Sequence, residues 1–248
     1  MLLGLEKLRA KFQNLIDQKK LGQAYLFFGE AGLGKFSFAK TLAVYLETGN
    51  WDFKHSGVLI DGLVLTSPLG VEQARQVKNF LWQKPFRSSC RTVVIGKAEN
   101  LTSEAQNALL KIIEEPPRSS LFLLTVSDPA LLAGTINSRL NKIYFPRLKT
   151  KTITDFLTAN CGSNPRQAKT AAERSFGCPG RAIALLNKEK ERNEESLEQF
   201  IENRLLYLRS DLKRNSAKLA WLLDRYVLVK RYNLNMPLQK KAIIKGLL

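Results

Sequence analysis

The order of apolar and polar positions predicts an α/β arrangement over the first part of the chain. Short, almost uninterrupted apolar runs alternate with stretches in which apolar residues recur every three or four positions. Runs of the first kind are typical of parallel strands covered on both faces, and the second spacing is typical of amphipathic helices. One predicted strand begins at Tyr25, and four others lie at residues 58–66, 92–95, 121–126 and 143–145.

Helical spacing fills the intervals between these strands. The predicted helices cover residues 3–19, 71–82 and 102–115, and another follows the turn after the first strand. Ser103 and Gln106 have the spacing of a capping box, which marks the start of a helix. The alternation of strand and helix therefore predicts a parallel sheet covered by helices on both faces.

The strand pattern stops near residue 148. Beyond it, the apolar spacing and the glycine-containing breaks predict only helices, and the stretch after residue 190 begins with many charged residues. Three domains are expected on this basis: an α/β domain at 1–147, a small domain at 148–190 with helices at 150–160, 165–176 and 180–190, and a helical domain at 191–248.

Composition limits the classes of protein to consider. None of the apolar runs among the 248 residues is long enough to cross a membrane, and the apolar start is followed at once by Glu6 and Lys7 rather than by a signal-peptide core. The three cysteines, Cys90, Cys161 and Cys178, are far apart. We therefore expect a cytoplasmic protein with neither a disulfide framework nor a zinc site and with no membrane contact.

The chain is strongly basic. Its formal net charge is +17, and the excess of Lys and Arg is spread along the chain rather than collected in a tail. A polyanionic partner, with nucleic acid as the first candidate, explains such a charge. A generally basic, solvated surface explains it equally well, so both interpretations stay open on charge alone.

A glycine-bearing turn after the first strand has the spacing of a phosphate-binding loop. In the segment GEAGLGK, Gly29, Gly34 and Lys35 match the pattern G-x-x-x-x-G-K, and Gly32 lies between them. Glycines let the loop turn its N–H groups into one hollow, and the lysine that follows reaches the outer phosphates of a nucleotide. The loop predicts a site for phosphate groups.

The residues that would hold Mg²⁺ beside such a loop are absent. The position after the lysine normally carries a Ser or Thr hydroxyl, and here it carries Phe36. After the predicted strand at 92–95, where carboxylates are needed, the chain has Gly96 and Lys97, and the nearest carboxylate is Glu99. Because Mg²⁺ prefers oxygen ligands, no Mg²⁺ site and no ATP hydrolysis are expected.

Several motifs together carry a family resemblance. With GEAGLGK, the segments NALLKIIEEPP at 107–117 and LLAGTINSRL at 131–140 resemble the clamp-loader branch of the AAA+ ATPases. Within it, the chain is most similar to the delta-prime subunits of bacterial DNA polymerase III. The segments QAYLFFG, GVEQARQVKNFL, GCPGRAIALL and NLNMPLQKKAIIKGLL extend the resemblance over nearly the whole chain.

The resemblance implies an AAA+ P-loop domain, a helical lid and a helical collar that assembles subunits into a hetero-pentamer. The implied partners are delta and tau/gamma subunits, the sliding clamp, and primer–template DNA held through its phosphate backbone. Two features depart from the family: residues 48–57 replace its four-cysteine zinc module, and the collar at 191–248 is short. No cofactor is required on this interpretation.

The resemblance also implies roles for two arginines. Arg139, in the segment TINSR, matches the arginine finger that reaches into the ATP site of a neighbouring subunit. The alternative is an arginine that pairs with a carboxylate of its own chain. Arg181 matches the second-sensor arginine of the lid, which would join Gly29, Gly32, Gly34, Lys35 and Phe36 in a degenerate nucleotide site.

Whether that site holds a nucleotide is a separate question. The glycines and Lys35 could still bind phosphates, or they could persist only for the geometry of the turn. Without metal ligands, an empty or weakly occupied site is favoured.

The function expected from the sequence is that of a non-hydrolysing clamp-loader subunit of the DNA polymerase III holoenzyme. Two alternatives stay open. One is an active AAA+ ATPase subunit of the tau/gamma kind that holds Mg²⁺ through waters and Glu99. The other is a stand-alone DNA-binding protein with an AAA+ fold.

Overall fold

The computed structural model describes residues 3–51, 59–66, 69–194, 201, 205, 208, 212–231 and 243. His55, the start of the strand predicted at 58–66, and most of the C-terminal motif at 233–248 lie outside these residues. The chain divides into two units, Met1–Leu186 and Asn187–Leu248. The division into three domains stays a prediction.

The first unit contains a five-stranded parallel sheet. Its strands are β1 (Ala24–Phe28), β2 (Gly62–Thr66), β3 (Arg91–Gly96), β4 (Ser120–Val126) and β5 (Asn141–Tyr144), in the spatial order β2-β3-β4-β1-β5. In register, Leu26 of β1 lies opposite Leu124 of β4 and Lys142 of β5. The α/β class and the parallel sheet predicted from the apolar runs are confirmed.

Helices cover both faces of the sheet. They are α1 (Glu6–Asp17), α2 (Lys35–Thr48), α3 (Val71–Leu81), α4 (Ser103–Glu114) and the short α5 (Gly134–Asn137). Strands β3 and β4 are buried along their whole length. This explains why the central residues of both strands are apolar, because a strand covered on both faces needs apolar side chains on both.

Each face of the sheet has its own core. On one face, residues of α3 and α4 such as Val77 and Leu109 pack with Ile95 and Leu124. The other face is aromatic and includes Phe12, Phe27, Phe38 and Phe145. The rings of Phe12, Phe27 and Phe38 meet edge-on, with centroids 5.5–5.8 Å apart. Such pairs contribute about 0.5–1.5 kcal/mol each beyond the area they bury.

Three helices follow the sheet: α6 (Thr150–Cys161), α7 (Pro165–Arg174) and α8 (Pro179–Glu194). They share a separate apolar cluster, in which Ile153 and Leu157 of α6 pack with small residues of α7 and with Ala182 and Leu186 of α8. The three helices predicted after residue 148 are confirmed, with α8 extending four residues beyond its predicted end.

The second unit includes α9 (Leu212–Arg231), where Leu219 and Leu222 pack with Ile201, Leu208 and Ile243. None of the helices in the described residues combines the length and the apolar character that a membrane span requires.

The start of α4 differs by one residue from the predicted capping box. Thr102, not Ser103, is the N-cap, and its Oγ1 accepts a hydrogen bond from the N–H of Ala105 at 3.2 Å. The side chain of Gln106 does not close a box: its Nε2 donates to the carbonyl of Leu101, and its Oε1 accepts from the N–H of Ala133. Thr102 and Ser103 are both suitable N-cap residues by sequence, and only the backbone geometry shows which of them caps the helix.

Candidate functional site

The phosphate-binding loop connects β1 to α2. Gly29, Gly32 and Gly34 all have positive φ angles, of 133°, 87° and 84°. A Cβ atom at Gly29 would lie 2.6 Å from the carbonyl oxygen of Phe145, so this position also needs glycine for space. Helix α2 begins at Lys35 directly after Gly34. A loop of this geometry presents backbone N–H groups at the N-terminus of a helix, where they can bind an anion.

Lys35 is folded onto its own loop. Its Nζ donates hydrogen bonds to the carbonyl oxygens of Gly29, at 2.5 Å, and Glu30, at 2.7 Å. The side chain is largely buried, and this desolvation lowers the pKa of Lys35, while the negative charge of Glu99 opposes the shift. In this conformation the ammonium group of Lys35 is hydrogen-bonded to backbone carbonyls rather than available to a phosphate.

Phe36 lies against the end of β3. A Cβ atom added to Gly96 would stand 2.9 Å from Cε2 of Phe36, so the ring fills the space into which a side chain at position 96 would extend. The ammonium of Lys40 lies 5.4 Å from the centre of the same ring. The aromatic ring thus lies where a hydroxyl oxygen would help to hold a metal ion, and Gly96 offers no carboxylate, so this set of groups does not suit Mg²⁺.

Two polar residues of β4 and the segment after it complete this end of the site. Thr125 accepts a hydrogen bond from the N–H of Lys97 at 3.2 Å, and Ser127 donates to Oε1 of Glu99 at 3.1 Å. Oε2 of Glu99 is buried and has no hydrogen-bond partner among the described residues. The sequence analysis did not include Thr125 and Ser127, although a hydroxyl near the end of an otherwise apolar strand is a usable signal.

These groups line a cavity of about 350 Å³. One end of the cavity is polar, with Lys35, Lys97, Glu99 and Ser127. The other end is apolar. Its lining residues include Leu3, Leu5, Phe156, Pro179 and Ile183. The cavity therefore has a cationic end at the loop and an apolar end beside the helices that follow the sheet.

The helices after the sheet contact the loop through backbone and side chains. The N–H of Gly180 donates to the carbonyl of Gly32 at 2.8 Å, and a Cβ atom at Gly180 would lie 3.0 Å from Cα of Gly32. The carboxylate of Glu30 accepts from Arg147 Nε at 2.7 Å and contacts the thiol of Cys178 at 3.6 Å. The bond from Arg147 is the largest of the effects that lower the pKa of Glu30.

Arg181, the predicted second sensor, is exposed and lies close enough to Glu30 to lower the pKa of that carboxyl slightly. Among the described residues that line the cavity, Pro179, Gly180 and Ile183 represent this helix, and Arg181 does not. The structure thus brings Gly32, Gly34, Lys35 and Phe36 to the cavity and leaves Arg181 beside it.

Arg139 lies just after α5, on the surface. Its Nη2 is 2.8 Å from Oε1 of Glu114 in α4, and its Nη1 donates to the carbonyl of Thr135 at 2.8 Å. Both partners of the ion pair are well exposed, at 41% and 37% of their side-chain areas. A pair exposed to this extent contributes only about 0–1 kcal/mol to stability, so another group can displace it at little cost.

Comparison with known proteins finds similarity to subunits of DNA polymerase III. The family described as "DNA polymerase III, delta subunit" matches residues 64–149. The gamma/tau subunit of DNA polymerase III from Mycoplasma genitalium is 28% identical over 169 residues, which is 62% of this chain and 28% of that protein. The tau subunit of Escherichia coli is 31% identical over 165 residues, 61% of this chain and 26% of that protein.

The chain is therefore similar to subunits of bacterial DNA polymerase III. Its fold is also that of the Thermotoga maritima RuvB Holliday junction branch migration motor. That likeness has a TM-score of 0.54 at 18% identity, and it covers 73% of this chain and 60% of the other. The chain spans less than a third of the length of these DNA polymerase III subunits.

Proposed function

We propose that this chain is a non-hydrolysing clamp-loader subunit of the delta-prime kind. It supports the loading of a sliding clamp onto primed DNA and supplies Arg139 to the ATP site of an adjacent subunit. Its partners would be delta and tau/gamma subunits, the clamp, and DNA bound through phosphates.

The observation that carries the proposal is the contact between Phe36 and Gly96. A hydrolysing site needs a metal ion between these two positions to neutralise the charge that develops on the phosphates. Here an aromatic ring lies in that space, and Lys97 adds positive charge beside it. Loss of metal stabilisation raises the barrier of phosphoryl transfer by several kcal/mol, which supports a site without turnover.

The position of Arg139 supports the second part of the proposal. The guanidinium is on the surface, and its ion pair with Glu114 is exposed and therefore weak. Because Arg139 gains little from Glu114, it can exchange this carboxylate for the phosphate of a neighbour's nucleotide. An arginine finger in that role raises the neighbour's rate by about 10³–10⁵.

Substituting each partner of this ion pair in turn tests whether Arg139 acts in a neighbour's ATP site or only in its local ion pair with Glu114. In a complex reconstituted with tau/gamma and delta subunits, Arg139→Ala should leave assembly intact and depress DNA-stimulated ATP hydrolysis at least about tenfold. Glu114→Gln breaks the same ion pair but keeps the arginine, so hydrolysis should remain at the wild-type rate. Arg118→Ala removes a nearby exposed arginine and serves as the matched control.

Equal loss of activity in the Arg139→Ala and Glu114→Gln complexes would show that only the local ion pair matters. Normal hydrolysis by the Arg139→Ala complex would likewise overturn the finger assignment. Assembly is measured separately, by size-exclusion chromatography, so that a ring that fails to form is not mistaken for a catalytic effect.

A second candidate is an active ATPase subunit of the tau/gamma kind. The identity with gamma/tau subunits and the presence of Glu99 in the cavity favour it. In this case Mn²⁺, added with ATP in place of Mg²⁺, would bind to the purified chain. The electron paramagnetic resonance signal of the Mn²⁺ would then broaden. The non-hydrolysing proposal predicts the spectrum of Mn²⁺–ATP in solution, unchanged by the protein.

A further inference from the structure

Two large aromatic side chains face solvent on the segment that joins α3 to β3. Trp82 is 64% exposed and Phe86 is 77% exposed. We propose that this α3–β3 segment, residues 82–90, binds single-stranded nucleic acid, whose bases stack on the two rings. The inference goes beyond the proposed function, which requires only phosphate contacts with DNA and assigns these residues no role.

The two rings are not part of a core. Among the described residues, neither of the hydrophobic clusters packed on the sheet includes Trp82 or Phe86. Trp82 is the C-cap residue of α3 and comes directly after Leu81, the last buried residue of that helix. Exposed apolar surface that is not used for packing marks sites of interaction. The placement of the rings therefore indicates contact with a ligand.

The backbone of the α3–β3 segment is fixed by a buried ion pair. The carboxylate of Asp61 accepts hydrogen bonds from the N–H groups of Phe86 and Arg87, at 2.8 and 2.5 Å. Arg91 lies 3.4 Å from that carboxylate, and its Nε and Nη2 donate to the carbonyl of Lys84, at 3.2 and 2.9 Å. The segment is thus ordered before a ligand binds, which lowers the entropy cost of binding.

The charges next to the two rings are positive. The sequence contains no Asp or Glu between Glu72 and Glu99. Lys84 and Arg87 lie within the α3–β3 segment, Lys78 lies in the last turn of α3, and all three are exposed. Cations beside exposed rings suit a ligand that carries both phosphate groups and flat apolar faces. Nucleic acid has both of these features.

A single strand fits this surface better than a duplex does. The bases of a single strand have free faces, and aromatic side chains bordered by cations bind such strands with little dependence on sequence. In a duplex, neighbouring bases cover these faces. Trp82 and Phe86 are four positions apart in the chain, so their Cα atoms are separated by at most about 14 Å. One short strand can therefore contact both rings.

The test measures the affinity of the full chain for a labelled oligothymidine of about 20 nucleotides, by fluorescence anisotropy. Trp82→Ala and Phe86→Ala should each weaken binding about tenfold, as expected when one base loses its stacking partner. Trp82→Phe keeps a ring and should retain most of the affinity. Because both side chains are exposed, the midpoint of denaturation should not change in these variants.

Phe176→Ala is the matched control. It removes another aromatic side chain, 68% exposed, from the loop before α8, and should leave oligonucleotide binding unchanged. Equal affinities of the Trp82→Ala and Phe176→Ala proteins would overturn the inference. So would a duplex of the same length that binds as tightly as the single strand, since only phosphate contacts would then be involved.

Tryptophan emission reports stacking directly. A base stacked on Trp82 should quench part of the emission of the chain, and Trp82→Phe should abolish that part of the quenching while the oligonucleotide still binds. Quenching that is the same in the wild-type and Trp82→Phe proteins would place the bound strand elsewhere and contradict the inference.

A protein partner is the competing occupant of this surface. In that case Trp82→Ala would release a protein from a reconstituted complex and leave the affinity for the oligonucleotide unchanged, a result that would also overturn the inference. None of these outcomes affects the role of Arg139, because ATP hydrolysis by the complex is measured separately.

Discussion

Phe36 and Gly96 depend on each other. The ring of Phe36 is accommodated only because position 96 has no side chain, since a Cβ atom there would lie 2.9 Å from the ring. An aspartate at position 96 would therefore clash with the ring unless Phe36 were also replaced. A serine or threonine at position 36 alone would place its hydroxyl opposite a glycine, with no carboxylate beside it. A metal site of the usual kind would therefore need substitutions at both positions.

This mutual dependence can be measured as a coupling energy. Gly96→Ala should destabilise the protein by about 1–3 kcal/mol, because the added methyl group forces the ring to move within a packed interior. In a Phe36→Ala background the same change should cost much less, and the coupling in a double-mutant cycle should reach about 1 kcal/mol or more. Chemical denaturation of the four proteins provides the values. Additive effects would show that the two residues do not contact each other in solution.

At the level of elements, the segment between α3 and β3 depends on one buried carboxylate. The Oδ atoms of Asp61 accept hydrogen bonds from the N–H groups of Phe86, Arg87 and Ser88, at 2.8, 2.5 and 2.8 Å. Arg91 lies 3.4 Å away and also binds the carbonyl of Ile60. Phe86 itself is 77% exposed, so Asp61 holds in place a segment that displays an aromatic side chain.

The environment of Asp61 predicts how stability changes with pH. Burial raises the pKa of this carboxyl, but the three N–H groups and Arg91 outweigh burial, and the net pKa is below the ordinary 3.8. A depressed carboxyl pKa gives stability that is present above about pH 4 and is lost as the pH falls through the folded-state pKa.

Asp61→Asn should remove this acid-dependent part of the stability and lower the free energy of unfolding at pH 7 by about 3 kcal/mol. Glu72→Gln, on the exposed surface of α3, is the control and should change little, since its pair with Arg75 is open to solvent. Denaturation midpoints at pH 3 to 7 test this. A midpoint for Asp61→Asn that equals the wild-type value at pH 7 would contradict the structural role.

The sequence predicted the elements whose signal is local. The apolar runs located β3 and β4, and the glycine spacing located the phosphate loop, because each depends on neighbouring residues. Three contacts were beyond it. Asp61 binds residues 25 to 27 positions away, Phe36 of α2 contacts Gly96 at the end of β3, and Arg139 pairs with Glu114 of α4. Such pairings are set by the tertiary fold, and a single sequence contains no record of them.

At the scale of the whole molecule, the formal net charge of +17 would favour contact with the phosphates of DNA. Contacts with phosphates release counterions, so their affinity falls with salt whatever the sequence of the DNA. If this chain neutralises two phosphates within a reconstituted complex, raising the salt from 50 to 200 mM should reduce its contribution to DNA affinity about tenfold. Fluorescence anisotropy with two unrelated primer–template sequences should give the same salt slope. A strong preference for one sequence would contradict backbone contact.

Our proposal depends most on one point: this protein lacks a working metal site and cannot hydrolyse ATP on its own. The direct measurement is single-turnover release of phosphate from ATP with Mg²⁺, using the purified chain in excess and the Lys35→Ala variant as the background. We expect the same release from both proteins. Release by the wild-type chain that Lys35→Ala abolishes would contradict it.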